Sequence, residues 1–231
     1  MIGLGFGNFQ SVTQEPFSFG NALQFDGVND FVNYSEVEFL NGTLSFWINL
    51  QQTGPFVFSS LGTSKNSWVI VNTTSGGQLR VRVERNNNQL TFNSPITISL
   101  NNWYHCVYTF HGDSANAYVN GVASSSNPQA YGTAAQSFNM DRIARLWSTD
   151  NYYEFKIDEI AAWDTILTPT QISNLYNSGN GDFATKYSPA NLLRYYRCNE
   201  EDGATILIDA QGNGNGTLNN FSTPPAYFIP H

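Results

Sequence analysis

Charge is what this sequence has least of. Asp, Glu, Lys and Arg together make up 12% of its 231 residues, and ten of them are basic. No stretch concentrates those ten. Phosphate binding needs clustered Lys or Arg, so a nucleic-acid partner is excluded. Cysteine is nearly absent: Cys106 and Cys198 stand in apolar strand patterns, not in a CxxC arrangement. They read as buried thiols packing as small hydrophobes, while a disulfide needs close Cα atoms, so pairing and redox compartment stay open. No window reaches the ~18 apolar residues of a membrane span. The opening "MIGLGFGNFQSVTQEPFSFG" has no basic n-region, no sustained apolar core and no small-residue cleavage site. We therefore expect a soluble chain with no signal peptide and no membrane insertion.

Aromatics are what it has most of, at 17 Phe, 12 Tyr and 5 Trp, with 41% of residues apolar and 19 glycines. That is ample for a core without metal or disulfide staples. With Asn, Ser and Thr between the apolar runs, the profile is that of strands and turns. The formal charge of −8 favours solubility and leaves room for a divalent cation.

Residues 1–20 are Gly- and Phe-rich without clean periodicity and read as an extended arm, tucked onto the domain or docked on a neighbour. From residue 21, strands and turns alternate: "NALQF", the turn "DGVND", then "FVNYS". In "TLSFWINL", Leu44, Phe46, Ile48 and Leu50 alternate with Ser45, Trp47 and Asn49, a half-buried strand pattern. Many short strands, with turn signals about every ten residues, predict an all-β sandwich or barrel. One helix stands out in "LTPTQISNLYNSGNG". Thr168 is the N-cap, Pro169 the first helical residue and Gln171 the capping-box partner. Ile172, Leu175 and Tyr176 make an apolar stripe, and Gly179 is the expected C′ residue. The helix is expected to cover an edge or end of the sandwich. After it come "LLRYYRCNE", "ATILIDA" and "GTLNNF", three more strands. "AQGNGNG" (210–216) is a turn and not a nucleotide loop, because a strand follows where GxGxxG needs a helix.

Five segments in register, "NALQFDGVNDFVNYS", "GTLSFWINL", "NNWYHCVYTFHGDSANAYVNGV", "KIDEIAAWDTILTPTQISNLYN" and "YYRCNEEDGATILIDAQGNGNGTLNN", resemble the concanavalin A-like, laminin-G-like jelly roll. The family's running pattern is "FDG…DYV", a "SFW" strand, a "WHHVAxTxDG…YVNG" hairpin and a closing "IDEVRIWNRALSxxEIxxLY". The resemblance in that order covers residues 21 to about 178. Asp164 stands where the pattern has Asn, and Cys106 where it has a core valine. The larger departure is order: typical members begin with "YWxFDEGSGTTVxDSSGNGNxGTL", whose match here, Tyr195 to Asn220, comes last. The resemblance implies an antiparallel jelly-roll β-sandwich with one short capping helix. It would be a single domain over residues 21–231, with residues 192–221 closing the sandwich as an apparent permutation. The competing reading, a truncated second repeat, leaves a marginal three-strand remnant with an exposed apolar edge.

Catalysis is not expected. Glucanases of this architecture use an E-x-D-x-x-E strand that sets two carboxylates on one face. Here Glu159 is followed by Ala161 and Asp164, and Glu36 by Glu38 and Asn41. His105, His111 and His231 lie in no Ser/His/Asp or HExxH setting, and His105 matches the hairpin histidine of the family, a structural position. Calcium is the cofactor the resemblance implies. "DGVND" offers Asp26, Gly27, Asn29 and Asp30, and in the family an ion often bridges this turn and the Asp of "IDE", here Asp158. The alternative is a plain turn with Asp158 as a hydrogen-bond acceptor.

Sugar recognition pairs an aromatic platform with Asn, Asp or Arg. Trp68, Trp147, Tyr131, Tyr152 and Tyr153 adjoin turns, and "RLWSTDNYYE" (145–154) is the best single loop. Each aromatic can equally be core. The functional expectation is a non-catalytic structural or adhesion module. A bacteriophage virion protein, decorating a capsid or tail, suits the leaderless start and the arm. Its partners would be other virion proteins or further copies of itself, with cell-surface glycan as a ligand. A freestanding lectin is the alternative, and a glycoside hydrolase comes third.

Overall fold

The computed structural model describes residues 16–52, 55–59, 67–73, 78–85, 88–130, 137–145, 152–222 and 227–231. In chain order the strands are β1 (Asn21–Asp26), β2 (Phe31–Phe39), β3 (Asn41–Leu50), β4 (Pro55–Ser59), β5 (Ser67–Thr73), β6 (Gln78–Arg85) and β7 (Asn88–Thr97). There follow β8 (Trp103–His111), β9 (Ser114–Val119), β10 (Val122–Ala123), β11 (Gln129–Ala130), β12 (Phe138–Ile143) and β13 (Glu154–Trp163). Helix α1 (Pro169–Tyr176) precedes β14 (Leu192–Tyr196), β15 (Ile206–Leu207), β16 (Gly216–Asn219) and β17 (Phe228–Pro230).

Two antiparallel sheets result. One runs β10-β9-β8-β3-β13-β1-β17, with β11 also on β9 and β14 also on β13. The other runs β15-β16-β2-β12-β4-β5-β6-β7. This is the all-β sandwich expected from the alternation of strands and turns. The Tyr195–Asn220 segment is built into it: β14 pairs β13 and β16 pairs β2.

The inner faces make one core. Leu44, Phe46, Ile48 and Leu50 of β3, with Cys106, Tyr108 and Phe110 of β8, meet Val32, Val37, Phe39, Phe138 and Met140 from the facing sheet. The other parity of β3 is not solvent-facing as its pattern suggests. Thr43, Ser45, Trp47 and Asn49 are buried too, because the outer face of this sheet carries a second apolar layer. There Ile172 and Leu175 of α1 pack with Val107, Tyr118, Ala161, Trp163 and Tyr195. The helix thus lies on a sheet face, not on an edge or end. Its first turn has the expected capping box: the Thr168 hydroxyl accepts from Gln171 N–H, and the Gln171 side chain accepts from Thr168 N–H. Its end differs from expectation. The left-handed cap falls on Asn177 (φ 48°), whose side chain donates to Gly181 O. Asn tolerates that conformation, so the left-handed cap comes two residues before Gly179.

Phe17 and Phe19 lie against the body. Arg197 donates to Ser18 O at 3.2 Å, and Phe17 meets Phe183 edge-on at 5.1 Å. Gly181 is their seat: at φ +68° a Cβ there would fall 2.6 Å from the Phe17 ring and 2.7 Å from the Phe19 ring.

Candidate functional site

The sequence-predicted residues separate into three places. Trp147 and Tyr131 lie outside the described residues, and Trp68 lies on β5, its side chain likewise outside them. Tyr152 and Tyr153 are half-buried and lead into β13. They adjoin the "DGVND" turn: a Cβ on Gly27 would sit 2.9 Å from Glu154 N and 3.2 Å from the Tyr153 carbonyl carbon. Gly27, at φ +76°, therefore supplies both the turn and the close approach.

Within that turn Asp26 N–H donates to Asp30 Oδ2 (3.0 Å), and Val28 N–H donates to Asp26 Oδ1 (2.8 Å). Asn29 O accepts from Asn220. Asp30 is buried, and its Oδ1 has no partner among the described residues. Burial is the main force raising its carboxyl, to about 6. An orphaned carboxylate oxygen is where a cation would fit. Asp158 does not join it. Asp26 is paired with Glu154 in register and Leu23 with Ile157, which puts Asp158 roughly 13 Å farther along β13. Among the described residues no three acidic, His or Cys side chains converge as a metal would need.

Asp158 belongs instead to a polar cluster that the sequence pattern hid. Along β13, Asp158 opposes Trp47 and Ala161 opposes Ser45, so three steps on β13 match two on β3. That extra residue is a β-bulge. Ile157 and Ile160 both belong to the inner core, and the two residues between them, Asp158 and Glu159, both turn to the outer face. Glu159 takes φ +49° to do so. The bulge sits where β1 gives way to β14 as neighbour of β13. All four carboxylate oxygens are engaged. Asp158 Oδ1 accepts from Glu159 N–H (2.7 Å), and Oδ2 lies 2.7 Å from His231 Nδ1. Glu159 Oε1 accepts from Arg197 Nε (3.1 Å), and Oε2 accepts from the Tyr195 hydroxyl. Burial, then the Asp158 charge, pushes the Glu159 carboxyl up to about 8, and burial likewise raises Asp158.

His105 is fully buried with Nε2 2.8 Å from Ser45 Oγ, and burial lowers it to about 3. It is a packing residue, neutral at physiological pH, as its place in the hairpin suggested.

An open concavity lies beside this cluster, along the chain from Arg197 to Asn215. A depression of about 270 Å³ is lined by Arg197, Asn199, Glu200, Ile208 and Ala210. It shares Asn199, Glu200 and Ile208 with a second, of about 540 Å³, that reaches Glu201, Thr205, Ile206 and Asn215. Ile206 is 47% and Ile208 57% exposed. Asn199 Oδ1 accepts from Asn21 N–H and Asn215 Oδ1 from Asp209 N–H, which fixes both amides. Their NH2 groups have no partner among the described residues. Glu200 Oε1 accepts from Ile208 N–H at 2.8 Å, while Oε2 has no partner among the described residues. Sequence reasoning named no site residue in this acidic turn. The signal that could have marked it is the pair of isoleucines at positions i and i+2 in "ATILIDA" beside Asn and Glu.

Residues 25–173 match the family described as the concanavalin A-like lectin/glucanases superfamily. No curated protein matches the chain. Among solved structures, a candidate carbohydrate-binding protein from Bacteroides ovatus aligns with TM-score 0.63 at 18% identity. The alignment covers 90% of this chain and 60% of that one. A heptameric SAP-like pentraxin from Limulus polyphemus aligns at 0.55 and 18% identity, over 69% of this chain and 80% of that one. The Trypanosoma rangeli sialidase gives 0.52 and 14%, over 67% of this chain but 27% of the enzyme. At these identities the likeness is one of fold. Because the sequence match spans more than half of its length, the chain belongs to the concanavalin A-like lectin/glucanases superfamily, as a laminin-G-like member.

Proposed function

We propose that this chain is a non-catalytic adhesion module that binds glycan, and that the trough from Arg197 to Asn215 is where a sugar sits. The observation that carries the reading is the composition of that trough. Ile206 and Ile208 offer an apolar wall, while Asn199, Thr205 and Asn215 offer hydrogen-bonding groups beside Glu200 and Glu201. A sugar has one apolar face and a ring of hydroxyls, and about 300–1,000 Å³ is the usual size of such a site. The B. ovatus neighbour supports the reading by its fold and its assigned ligand class. Tyr152 and Tyr153 are the second candidate platform, with calcium on Asp26, Gly27, Asn29 and Asp30 as the ion that would stiffen it. Asp158 is not in that set.

The Asp158–Glu159 pair speaks against catalysis. Every oxygen of it is held by a protein group, so neither carboxyl is aimed at a substrate. Turnover of any β-glucan would overturn this. The setting we propose is a virion, with other virion proteins or further copies of the chain as partners, and copurification with particles tests it.

The test of the module itself is a glycan array probed with the full chain, with and without chelator. Saturable binding is expected. Asn199→Ala and Ile208→Ala should weaken it about tenfold each, the worth of one hydrogen bond or one aliphatic contact. Loss on Tyr152→Ala and not on Asn199→Ala moves the site to the calcium turn. No saturable binding anywhere on the array sinks the glycan reading.

A further inference from the structure

His231 follows β17, and its imidazole stands between two parallel aromatic faces. Phe19 stacks on one side at 3.8 Å and 11°, Trp103 on the other at 3.8 Å and 7°. At the back of the slot Nδ1 meets Asp158 Oδ2 at 2.7 Å, and Asp158 is fully buried. The His231 main-chain N–H donates to Gly20 O at 3.1 Å.

The walls do not depend on the ring between them. Trp103 opens β8, held in register opposite Asn49 of β3. Phe19 leans edge-on against Trp47 and Phe17, both at 5.0 Å, over the Gly181 seat. Asp158 is set by the bulge and by Glu159 N–H. Two parallel π faces that each touch one inserted ring admit a flat ring and exclude a puckered saccharide. A carboxylate at the back accepts a hydrogen bond from the edge of that ring.

We propose that Phe19, Trp103 and Asp158 form a binding slot for a planar nitrogen heterocycle, which His231 occupies from within the same chain. The plugged slot fastens the Phe17–Gly20 segment to the sandwich. Outside this contact, that segment is held through Arg197 to Ser18 O, through Asn199 near Gly20, and through the rings of Phe183 and Trp47. Phe19, Trp103 and Asp158 do not line the trough proposed for glycan, so each reading can fail without the other.

The experiment uses the full chain and free imidazole as probe. His231→Gly should lower the melting midpoint and speed hydrogen exchange over residues 17–22. Imidazole should restore both, saturably, in the millimolar range. Adding Asp158→Asn to that background should weaken imidazole about tenfold, the worth of a charge-assisted hydrogen bond. His231→Phe refills the slot and should not respond. Absence of saturable rescue in His231→Gly overturns the proposal, as does a response of the wild type or of His231→Phe as large as that of His231→Gly. Should His231→Gly not fold, the wild type still decides. Ring currents from two flanking faces must shift the His231 ring protons well upfield, and ordinary shifts overturn the slot.

Discussion

Glu159 shows how much one residue can alter a site. Without the bulge, Asp158 and Glu159 would point to opposite faces, since strand side chains alternate. With it, two carboxyls share one outer pocket, and the Arg197 guanidinium pairs with Glu159. One negative charge is then left to be neutralised by a retained proton. The pH consequence has a definite sign. The folded chain keeps the Glu159 proton up to about 8, against an ordinary value of 4.5, so between these values folding takes up protons and stability falls as pH rises. His105 and His231, lowered to about 3 and about 4 from 6.5, oppose this only below pH 6.5. The open window is therefore pH 6.5 to 8, where we expect a loss of roughly 1–2 kcal/mol, a proton being worth about 1.4 kcal/mol per pH unit. Thermal melts across that window should show the fall, and Glu159→Gln should flatten it. A midpoint that rises from pH 6.5 to 8 would contradict the cluster's protonation. None of this was legible in "KIDEIAAW". A bulge leaves no mark in an alternating pattern, and the partners Tyr195, Arg197 and His231 lie at least 36 residues away.

At the scale of elements, local chemistry was readable and placement was not. The start of α1 is set by Thr168, Pro169 and Gln171, all within one turn, and it stands where the sequence puts it. Thr168→Ala should cost about 1 kcal/mol by removing the side-chain acceptor of the cap, read as a drop in the denaturant midpoint with unchanged slope. An unchanged midpoint would show that tertiary packing alone holds the first turn. The face on which α1 rests depends on Trp163, Val107 and Tyr118, which no local pattern connects. Strand edges are managed the same way, by single side chains. The Gln129 amide donates to Thr91 O (2.6 Å) and accepts from Thr91 N–H (3.3 Å), so it stands in for a peptide group along β7. Asn127 does the same for Ala117 of β9. An edge whose backbone is already bonded offers less to a foreign strand.

Across the whole molecule, sequence periodicity was enough for the sandwich, because strands such as β3 and β8 turn alternate residues into the inner core, as their patterns and the turns between them announce. The trough was harder to foresee, being assembled from a loop, an edge strand and a turn whose residues are individually unremarkable. The two thiols gave a firmer expectation. Cys106 and Cys198 are fully buried and unpaired, and burial pushes Cys106 up to about 12 and Cys198 strongly upward. Thiolate is the reactive form, so the native chain should be silent to a thiol reagent and reveal two thiols on unfolding. Reaction of either in the native state would mean that the core opens locally.

The pairing of β16 with β2 carries a consequence for how the chain is made. Thr217 must find Asn33, and Tyr196 must find Ile160. On a ribosome, β2 therefore emerges long before the strand that covers its edge. Such closure is dominated by non-local contacts, which slow folding and prolong the exposure of unpaired strands. Strands β14 to β17 also finish both sheets, so the nascent chain stays vulnerable until they have been translated.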